Sequence, residues 1–122
     1  MSITGRQRSR EPPEELRRRF FAQQRAIDNR VVVRVGGDCD AATLDRLNAT
    51  LEAAIDQRPE DILVDLSEAT FVDSLTLGSL TAAAKRVRAT GASFGVRGVA
   101  GEVRRAFEIT GLDKYLLQAT RK

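Results

Sequence analysis

The chain has 122 residues, 42% of them hydrophobic and 30% charged, which is the composition of one soluble domain with a single core. It contains no histidine and a single cysteine, Cys39. Ser-His-Asp and Cys-His catalysis, most zinc sites and an intramolecular disulfide are therefore excluded, and no Gly-x-x-x-x-Gly-Lys motif provides a phosphate-binding loop.

The formal net charge of +3 comes from the beginning of the chain. Residues 1–19 contain six arginines and three glutamates, whereas residues 20–122 contain 14 basic and 14 acidic residues. An arginine-rich segment with Pro12-Pro13 and few apolar residues predicts a disordered N-terminal extension over residues 1–19. This extension is either simply solvated or contacts RNA, DNA or an acidic partner. We do not expect the neutral remainder to bind nucleic acid.

Two features of the sequence bear on localisation. No apolar stretch has the roughly 18–20 residues that a membrane span requires. The segment Met1–Arg10 also lacks the apolar centre of a secretory signal. Together with the lone cysteine, these observations predict a cytoplasmic protein without a membrane partner.

The first predicted elements after the extension are two strands joined by a tight turn. Phe20–Ile27 alternates between apolar and polar residues, and Arg30–Val35 is rich in β-branched residues. The pair Asp28-Asn29 between them is typical of a turn, so a hairpin is expected. The segment 36–40 (Gly-Gly-Asp-Cys-Asp) is predicted to break the second strand.

A helix is predicted next, over Ala41–Gln57, with Asp40 as its N-cap. Its apolar residues recur at spacings of three and four, namely at Leu44, Leu47, Leu51, Ala54 and Ile55. Arg58-Pro59 ends this helix. The short apolar run Asp61–Leu66 that follows suits a strand covered on both faces.

The segment Ser67–Asp73 is predicted to be a loop that turns Phe71 and Val72 inward. Ser74–Ala89 has helical periodicity, and Gly91 is a suitable residue to close this helix.

The last three predicted elements are a strand over Ser93–Arg97, a helix over Val103–Ile109 and an edge strand over Tyr115–Gln118. The order β-β-α-β-α-β-α-β predicts an α/β fold, in which a mixed, mostly parallel sheet of four to five strands is flanked by helices.

Asp38, Asp40 and Asp73 each stand where a predicted strand runs into a helix. Since the carboxyl ends of parallel strands meet at one edge of a sheet, where ligands usually bind, we expect these carboxylates to lie close together. Two of them are equally well explained as helix caps and the third as a surface acid. Metal binding or phosphotransfer is the less favoured interpretation, and no metal site is predicted.

Two further segments carry weaker signals. Gly95–Gly101, followed by Arg104 and Arg105, could bind the phosphates of a nucleotide at a helix start, but turn formation alone explains its glycines. Cys39 has acidic neighbours that disfavour its thiolate, so we interpret it as a packing residue and not as a redox switch.

Two motifs together resemble the STAS family of bacterial anti-sigma-factor antagonists. Val35–Asp40 is similar to that family's Gly-Glu-(apolar)-Asp turn after the second strand. The segments 65–67 (Asp-Leu-Ser) and 71–78 (Phe-Val-Asp-Ser-Leu-Thr-Leu-Gly) are similar to the family's Asp-Leu-Ser strand and its (apolar)-Asp-Ser-(Ser/Thr)-Gly-Leu-Gly helix start. The likeness runs from Phe20 to Gln118 and implies a STAS domain over residues 20–122.

The resemblance implies a regulatory function without enzymatic activity or a cofactor. Such an antagonist binds an anti-sigma factor that is also a serine kinase, and this binding releases a sigma factor. Phosphorylation of the serine after the motif aspartate breaks the complex, and a phosphatase resets it. By position the phosphoacceptor is Ser74, and the implied partner-binding residues are Asp38, Asp40, Asp73, Ser74, Leu75, Thr76, Leu77 and Gly78.

The position of Ser74 suits such a switch. A phosphoserine carries about −1.5 to −2 charges, which the dipole of a helix start tolerates but an opposing protein surface with nearby carboxylates does not. The alternative is that Ser74 merely caps its helix. Leu75 and Thr76 depart from the family pattern, which commonly has Ser or Thr and then Gly there. Thr76 is therefore either an obstacle beside Ser74 or a second acceptor.

Two other functions stay open at this point. One is a STAS module that acts as a ligand- or nucleotide-sensing or accessory subunit, without a phosphoswitch. The other is nucleic-acid binding through residues 1–19, which ranks last because the rest of the chain is neutral. Weak homodimerisation is compatible with each of them.

Overall fold

The four strands of the sheet lie in the order β1-β2-β3-β4 in a computed structural model, which describes residues 19–118. β1 (Phe21–Ile27) pairs antiparallel with β2 (Arg30–Cys39). β2 pairs in parallel with β3 (Asp61–Val72), and β3 in parallel with β4 (Ser93–Arg97). This arrangement confirms the predicted mixed, mostly parallel sheet. Residues 1–18 of the predicted extension lie outside the described part of the chain.

The helices are α1 (Leu44–Asp56), α2 (Ser74–Ala89), α3 (Gly101–Thr110) and the short α4 (Leu112–Leu116). The apolar periodicity predicted the first three of them, and it predicted α2 with the observed bounds. No helix within residues 19–118 combines the length and the apolar character that crossing a membrane requires.

The predicted edge strand Tyr115–Gln118 is wrong. Gly111 adopts a left-handed conformation with φ of 77° and ends α3, and the chain then forms α4. This helical turn buries Leu116 in the core. Only Leu117 pairs with the sheet in this segment, through a single bridge to Val96.

β2 and β3 are both longer than the local sequence predicts. The predicted break at residues 36–40 and the predicted loop Ser67–Asp73 are wrong, because the two segments pair with each other as far as Cys39 and Val72. Two register shifts interrupt this pairing, and Gly37 supplies a φ of 79° at the second one. At both shifts the extra residue lies in β3, so β3 carries the bulges and β2 continues as a strand past Gly36 and Gly37.

The start of α1 also differs from its prediction. The N-cap position is Thr43, and the helix begins at Leu44 instead of Ala41. The carboxylate of Asp40 accepts a hydrogen bond from the N–H of Ala42 at 3.0 Å, which holds the turn before the helix. Asp40 is therefore not the cap of α1.

The core lies between the helices and one face of the sheet. Alternate strand residues face it, and buried residues of every described helix join the same cluster, which includes Val33, Val64, Val96, Leu47, Leu80, Phe107 and Leu116. The opposite face carries the ion pairs Arg30–Asp61 and Arg97–Asp65. The prediction that β3 is covered on both faces is correct only in part. On this opposite face Leu63 is buried, whereas Asp61 and Asp65 are partly exposed.

Gly98 follows β4 and closely approaches β3 at Asp65 and Ser67. Its φ is 82°, and a Cβ there would lie 2.9 Å from both the Asp65 carboxylate and the Ser67 nitrogen. This close approach explains why residue 98 is a glycine. It also places the Asp65 carboxylate beside the segment that would bind a phosphate, which it would repel. It favours turn formation over a nucleotide site at Gly95–Gly101.

We expect Gly98→Ala to lower the free energy of unfolding more than Gly91→Ala does. Gly91 has a similar φ of 89° but open space around it, so its substitution costs only the strain of the left-handed conformation, about 1–2 kcal/mol. Gly98→Ala adds the clash with Ser67. Urea denaturation of both variants measures the difference, and equal losses would contradict the close approach.

Candidate functional site

The candidate site is the edge of the sheet where β2 and β3 end and α2 begins. We call it the rim and define it as residues 38–40 and 71–78. The carbonyl of Cys39 accepts hydrogen bonds from the N–H of Asp73 at 3.1 Å and from the hydroxyl of Thr76 at 3.0 Å. These bonds attach the end of β2 to the start of α2. Cys39 and Thr76 are 37 residues apart in the sequence.

Asp73 is the N-cap of α2. It has an extended backbone, and its carboxylate accepts a hydrogen bond from the N–H of Thr76 at 2.9 Å. Ser74 is therefore the first helical residue and not the cap. The alternative that gave Ser74 only a capping role is wrong, because its neighbour performs that role.

The hydroxyl of Ser74 is available for chemistry. Its residue is exposed, and within residues 19–118 the hydroxyl makes no hydrogen bond. It stands at the amino end of α2, where the helix dipole favours negative charge. A phosphoryl group on this oxygen would consequently add charge at the surface of the rim without disturbing a capping bond.

The three predicted carboxylates surround one buried thiol. Burial raises the pKa of Cys39 to about 12, with further contributions from the negative charges of Asp38, Asp40 and Asp73. Asp38 and Asp40 adjoin Cys39 in the chain, and the N–H of Asp73 donates to the carbonyl of Cys39, so the prediction that the three aspartates lie close together at the rim is confirmed. The thiol is 1% exposed, so Cys39 is a packing residue, as predicted. No cluster suited to a metal ion occurs within residues 19–118.

Hydrogen bonds hold the carboxylates of Asp38 and Asp40 in place as well. Asp38 accepts a hydrogen bond from the hydroxyl of Thr70 at 2.6 Å, and Asp40 accepts one from the N–H of Ala42. Within the described part of the chain, Asp40 and Asp73 take part in no ion pair. The rim therefore presents negative charge at Asp40 and Asp73, and no arginine or lysine of the described residues neutralises it.

The remaining predicted partner-binding residues fall into two groups. Leu75 and Gly78 are exposed, whereas Thr76 and Leu77 are 1% and 4% exposed and face the core. Because the hydroxyl of Thr76 is bound to Cys39, this residue neither obstructs Ser74 nor offers a second acceptor. Thr76 and Leu77 are therefore buried beneath the rim and contribute little to its surface.

Sequence reasoning missed Phe71, which was expected to turn inward. Its side chain is 40% exposed at the rim, while Val72 is buried. β3 continues through this segment, so neighbouring side chains point to opposite faces. If β3 had been predicted to extend to Val72, the alternation of side chains along a strand would have placed Phe71 on the outer face.

A second depression lies at the opposite end of the sheet. This cleft of about 360 Å³ is between the carboxyl ends of α1 and α2, and its lining includes Ile55, Ile62, Val87, Arg58 and Arg86. Arg86 is paired with Glu52. Sequence reasoning did not identify this cleft, because its lining comes from three separate elements.

Comparison with known proteins gives a consistent result. Residues 22–118 match the family model described as "Mlab, STAS domain". The chain is 32% identical over 80 residues to the anti-sigma-B factor antagonist of Staphylococcus aureus, a match that spans 66% of this chain and 74% of that protein.

Solved structures are similar over most of the chain. An anti-sigma factor antagonist from Mycobacterium paratuberculosis superposes with a TM-score of 0.76 at 29% identity, over 83% of this chain and 86% of that one. The anti-sigma factor antagonist SpoIIAA in its unphosphorylated form superposes with a TM-score of 0.70 over 83% of this chain and 90% of that one. At 22% identity, the latter similarity concerns the fold alone.

Proposed function

The chain belongs to the STAS domain family, and from this membership we propose that it is an anti-sigma factor antagonist. It binds an anti-sigma factor and thereby releases a sigma factor in the cytoplasm, without enzymatic activity of its own. The names of the Staphylococcus aureus relative and of the Mycobacterium paratuberculosis structure support this proposal, since both are antagonists of anti-sigma factors.

The surface that binds the anti-sigma factor is the rim. In this proposal the partner contacts Ser74 directly, with Asp38, Asp40 and Asp73 around it and the exposed Leu75 and Gly78 beside it. The partner is also a serine kinase. It transfers the γ-phosphoryl group of ATP to the Ser74 oxygen, ADP leaves as the bond to the γ-phosphorus breaks, and the hydroxyl proton passes to a base of the kinase.

One observation carries the phosphoswitch: Ser74 is exposed at the first position of α2, while Asp73 caps the helix. Phosphorylation leaves the capping bond from Thr76 to Asp73 intact, so the domain stays folded. It places about −1.5 to −2 charges at an acidic surface that the partner must cover. Like-charge repulsion and the cost of removing water from the phosphate then break the complex, and a phosphatase restores Ser74.

Intact-mass analysis tests this proposal. The purified protein and a Ser74→Ala variant are incubated with ATP and lysate of the source organism. A gain of one phosphoryl group by the unmodified chain, absent in Ser74→Ala, supports the switch. Modification of both chains to the same extent would place the acceptor elsewhere, and no modification of either would favour the second function below.

The cleft at the other end of the sheet favours one further candidate, a ligand- or nucleotide-sensing or accessory subunit without a phosphoswitch. Its volume of about 360 Å³ lies within the range of small-molecule sites, and Ile55 and Val87 give it an apolar wall beside Arg58. In that case a nucleotide such as ATP raises the melting temperature, and Ser74→Ala does not alter the effect. Absence of any such stabilisation would exclude nucleotide sensing.

A further inference from the structure

The rim contains exposed apolar side chains in addition to its carboxylates. Large hydrophobic residues with such exposure are few within residues 19–118, namely Ile27, Phe71, Leu75, Ile109 and Tyr115. Two of them, Phe71 at 40% and Leu75 at 52%, precede and follow Asp73 and Ser74 in the chain, near the end of β3 and in the first turn of α2. Single exposed apolar residues are ordinary on protein surfaces, but two of these five fall within the rim that the proposed function assigns to the partner.

The backbone beneath these two side chains is firmly held. Leu75 is the second residue of α2, and the start of that helix is fixed by the Asp73 cap and by two hydrogen bonds to the carbonyl of Cys39. Phe71 is paired with Asp38 in the ladder between β2 and β3. Because the backbone at both positions is fixed before binding, this chain loses little additional backbone freedom when a partner covers them.

We propose that Leu75, supported by Phe71, is the specificity-determining apolar contact for the anti-sigma factor. The partner surface that fits the rim has an apolar pocket for the Leu75 side chain and arginine or lysine side chains opposite Asp40 and Asp73. The charge on the rim selects a basic surface, since no ion pair within the described residues neutralises these two aspartates. This inference rests on the proposed function, and it names the partner's chemistry at the same site.

The two parts of this surface respond differently to salt. Interactions between exposed charges are screened at high ionic strength, whereas burial of an apolar side chain is not. The contribution of Leu75 should therefore persist at a salt concentration that removes most of the contribution of Asp40. The position of Leu75 also bears on partner choice: an anti-sigma factor with a polar contact for a serine or threonine at this position would leave that contact unpaired against leucine.

Calorimetric titration with the purified anti-sigma factor that phosphorylates Ser74 tests the inference. Because Leu75 is about half exposed in the free chain, a partner can newly bury about half of it, and we expect Leu75→Ser to raise Kd by about 3- to 15-fold at both low and high salt. Ile27→Ser is the matched control, because Ile27 is 48% exposed at the opposite end of the sheet. This control should bind as the unmodified chain does.

Two further variants complete the experiment. Leu75→Met keeps an apolar side chain and should restore most of the affinity. Asp40→Asn should weaken binding mainly at low salt. Melting temperatures of all variants verify that none has lost its fold, since Leu75 is exposed and its substitution removes no core contact.

The outcomes separate this inference from the proposed function. If Leu75→Ser binds with unchanged Kd while Ser74→Asp does not bind, the antagonist function stands and the role of Leu75 is overturned. If both variants bind like the unmodified chain, the rim is not the interface and both proposals fail. Loss of binding by Ile27→Ser to the same extent as by Leu75→Ser would also overturn the inference, because the effect would then not depend on the rim.

Discussion

Substitution of Ser74 by aspartate is expected to abolish binding of the anti-sigma factor while the melting temperature hardly changes. The new carboxylate would stand among Asp38, Asp40 and Asp73, on a surface that the partner must approach without water in between. The basic side chains of the partner are already matched to Asp40 and Asp73, so the partner would cover the further charge at Ser74 without a counter-charge, and repulsion from the rim carboxylates adds to this desolvation cost. Kd should therefore rise by about a hundredfold or more. The experiment compares calorimetric titrations and thermal unfolding of the variant and the unmodified chain.

The fold should tolerate this substitution for two reasons. An acidic residue in the first turn of a helix interacts favourably with the helix dipole, typically by about 0.3–1 kcal/mol. The capping bond between Asp73 and the N–H of Thr76 does not involve Ser74. A change in the melting temperature of more than a few degrees would contradict this reasoning.

Two controls isolate the effect of charge at the rim. Ser74→Ala should retain binding, because it removes the hydroxyl without adding charge. Ala82→Asp adds the same charge at an exposed position further along α2 and should bind normally. If Ser74→Asp bound the kinase at full strength, the phosphoswitch at this residue would be wrong.

The largest effect on stability is expected for Phe107→Ala. Phe107 is fully buried, and it is one of only two buried residues of α3, the other being Val103. Truncation of a buried phenylalanine to alanine removes apolar burial and leaves a cavity, at a cost of about 3–5 kcal/mol. That is a large part of the roughly 5–15 kcal/mol by which small domains are stable.

Urea denaturation measures this loss, and hydrogen exchange in α3 shows whether the helix separates locally before global unfolding. Ile109→Ala is the control on the same helix: Ile109 is 74% exposed, so its truncation should change stability by no more than about 0.5 kcal/mol. Equal losses for the two variants would show that α3 is not held on the sheet through Phe107.

Local sequence determined the features that depend on near neighbours. α2 and β4 have the predicted bounds. For α2, the helical periodicity, the aspartate before the first turn and the glycine after the last turn all lie within one short stretch of sequence. Alternation and strand order along the chain likewise predicted the mixed sheet. The motif around Asp73 and Ser74 pointed to the family and, through the family, to Ser74 as the proposed phosphoacceptor with acidic residues near it.

The details of the rim depend on contacts that short segments do not contain. β2 and β3 extend past their predicted ends because each supplies the other's hydrogen bonds, over 30 residues apart in sequence. That extension turns Phe71 outward. The buried hydroxyl of Thr76 donates a hydrogen bond to the carbonyl of Cys39. The carboxylate of Asp73 accepts the capping bond of α2, which was the alternative role for Ser74.

The sequence by itself thus determined the four strands, the first three helices and their order, and the motif that places Asp73 and Ser74 at the rim. Only the tertiary structure decided which of those side chains reach the surface: Ser74 and Leu75 do, whereas Thr76 and Leu77 do not. The physical reason is that helix and turn formation depend on hydrogen bonds within a few residues. The direction of a side chain at the end of a sheet depends on the strand that pairs beside it.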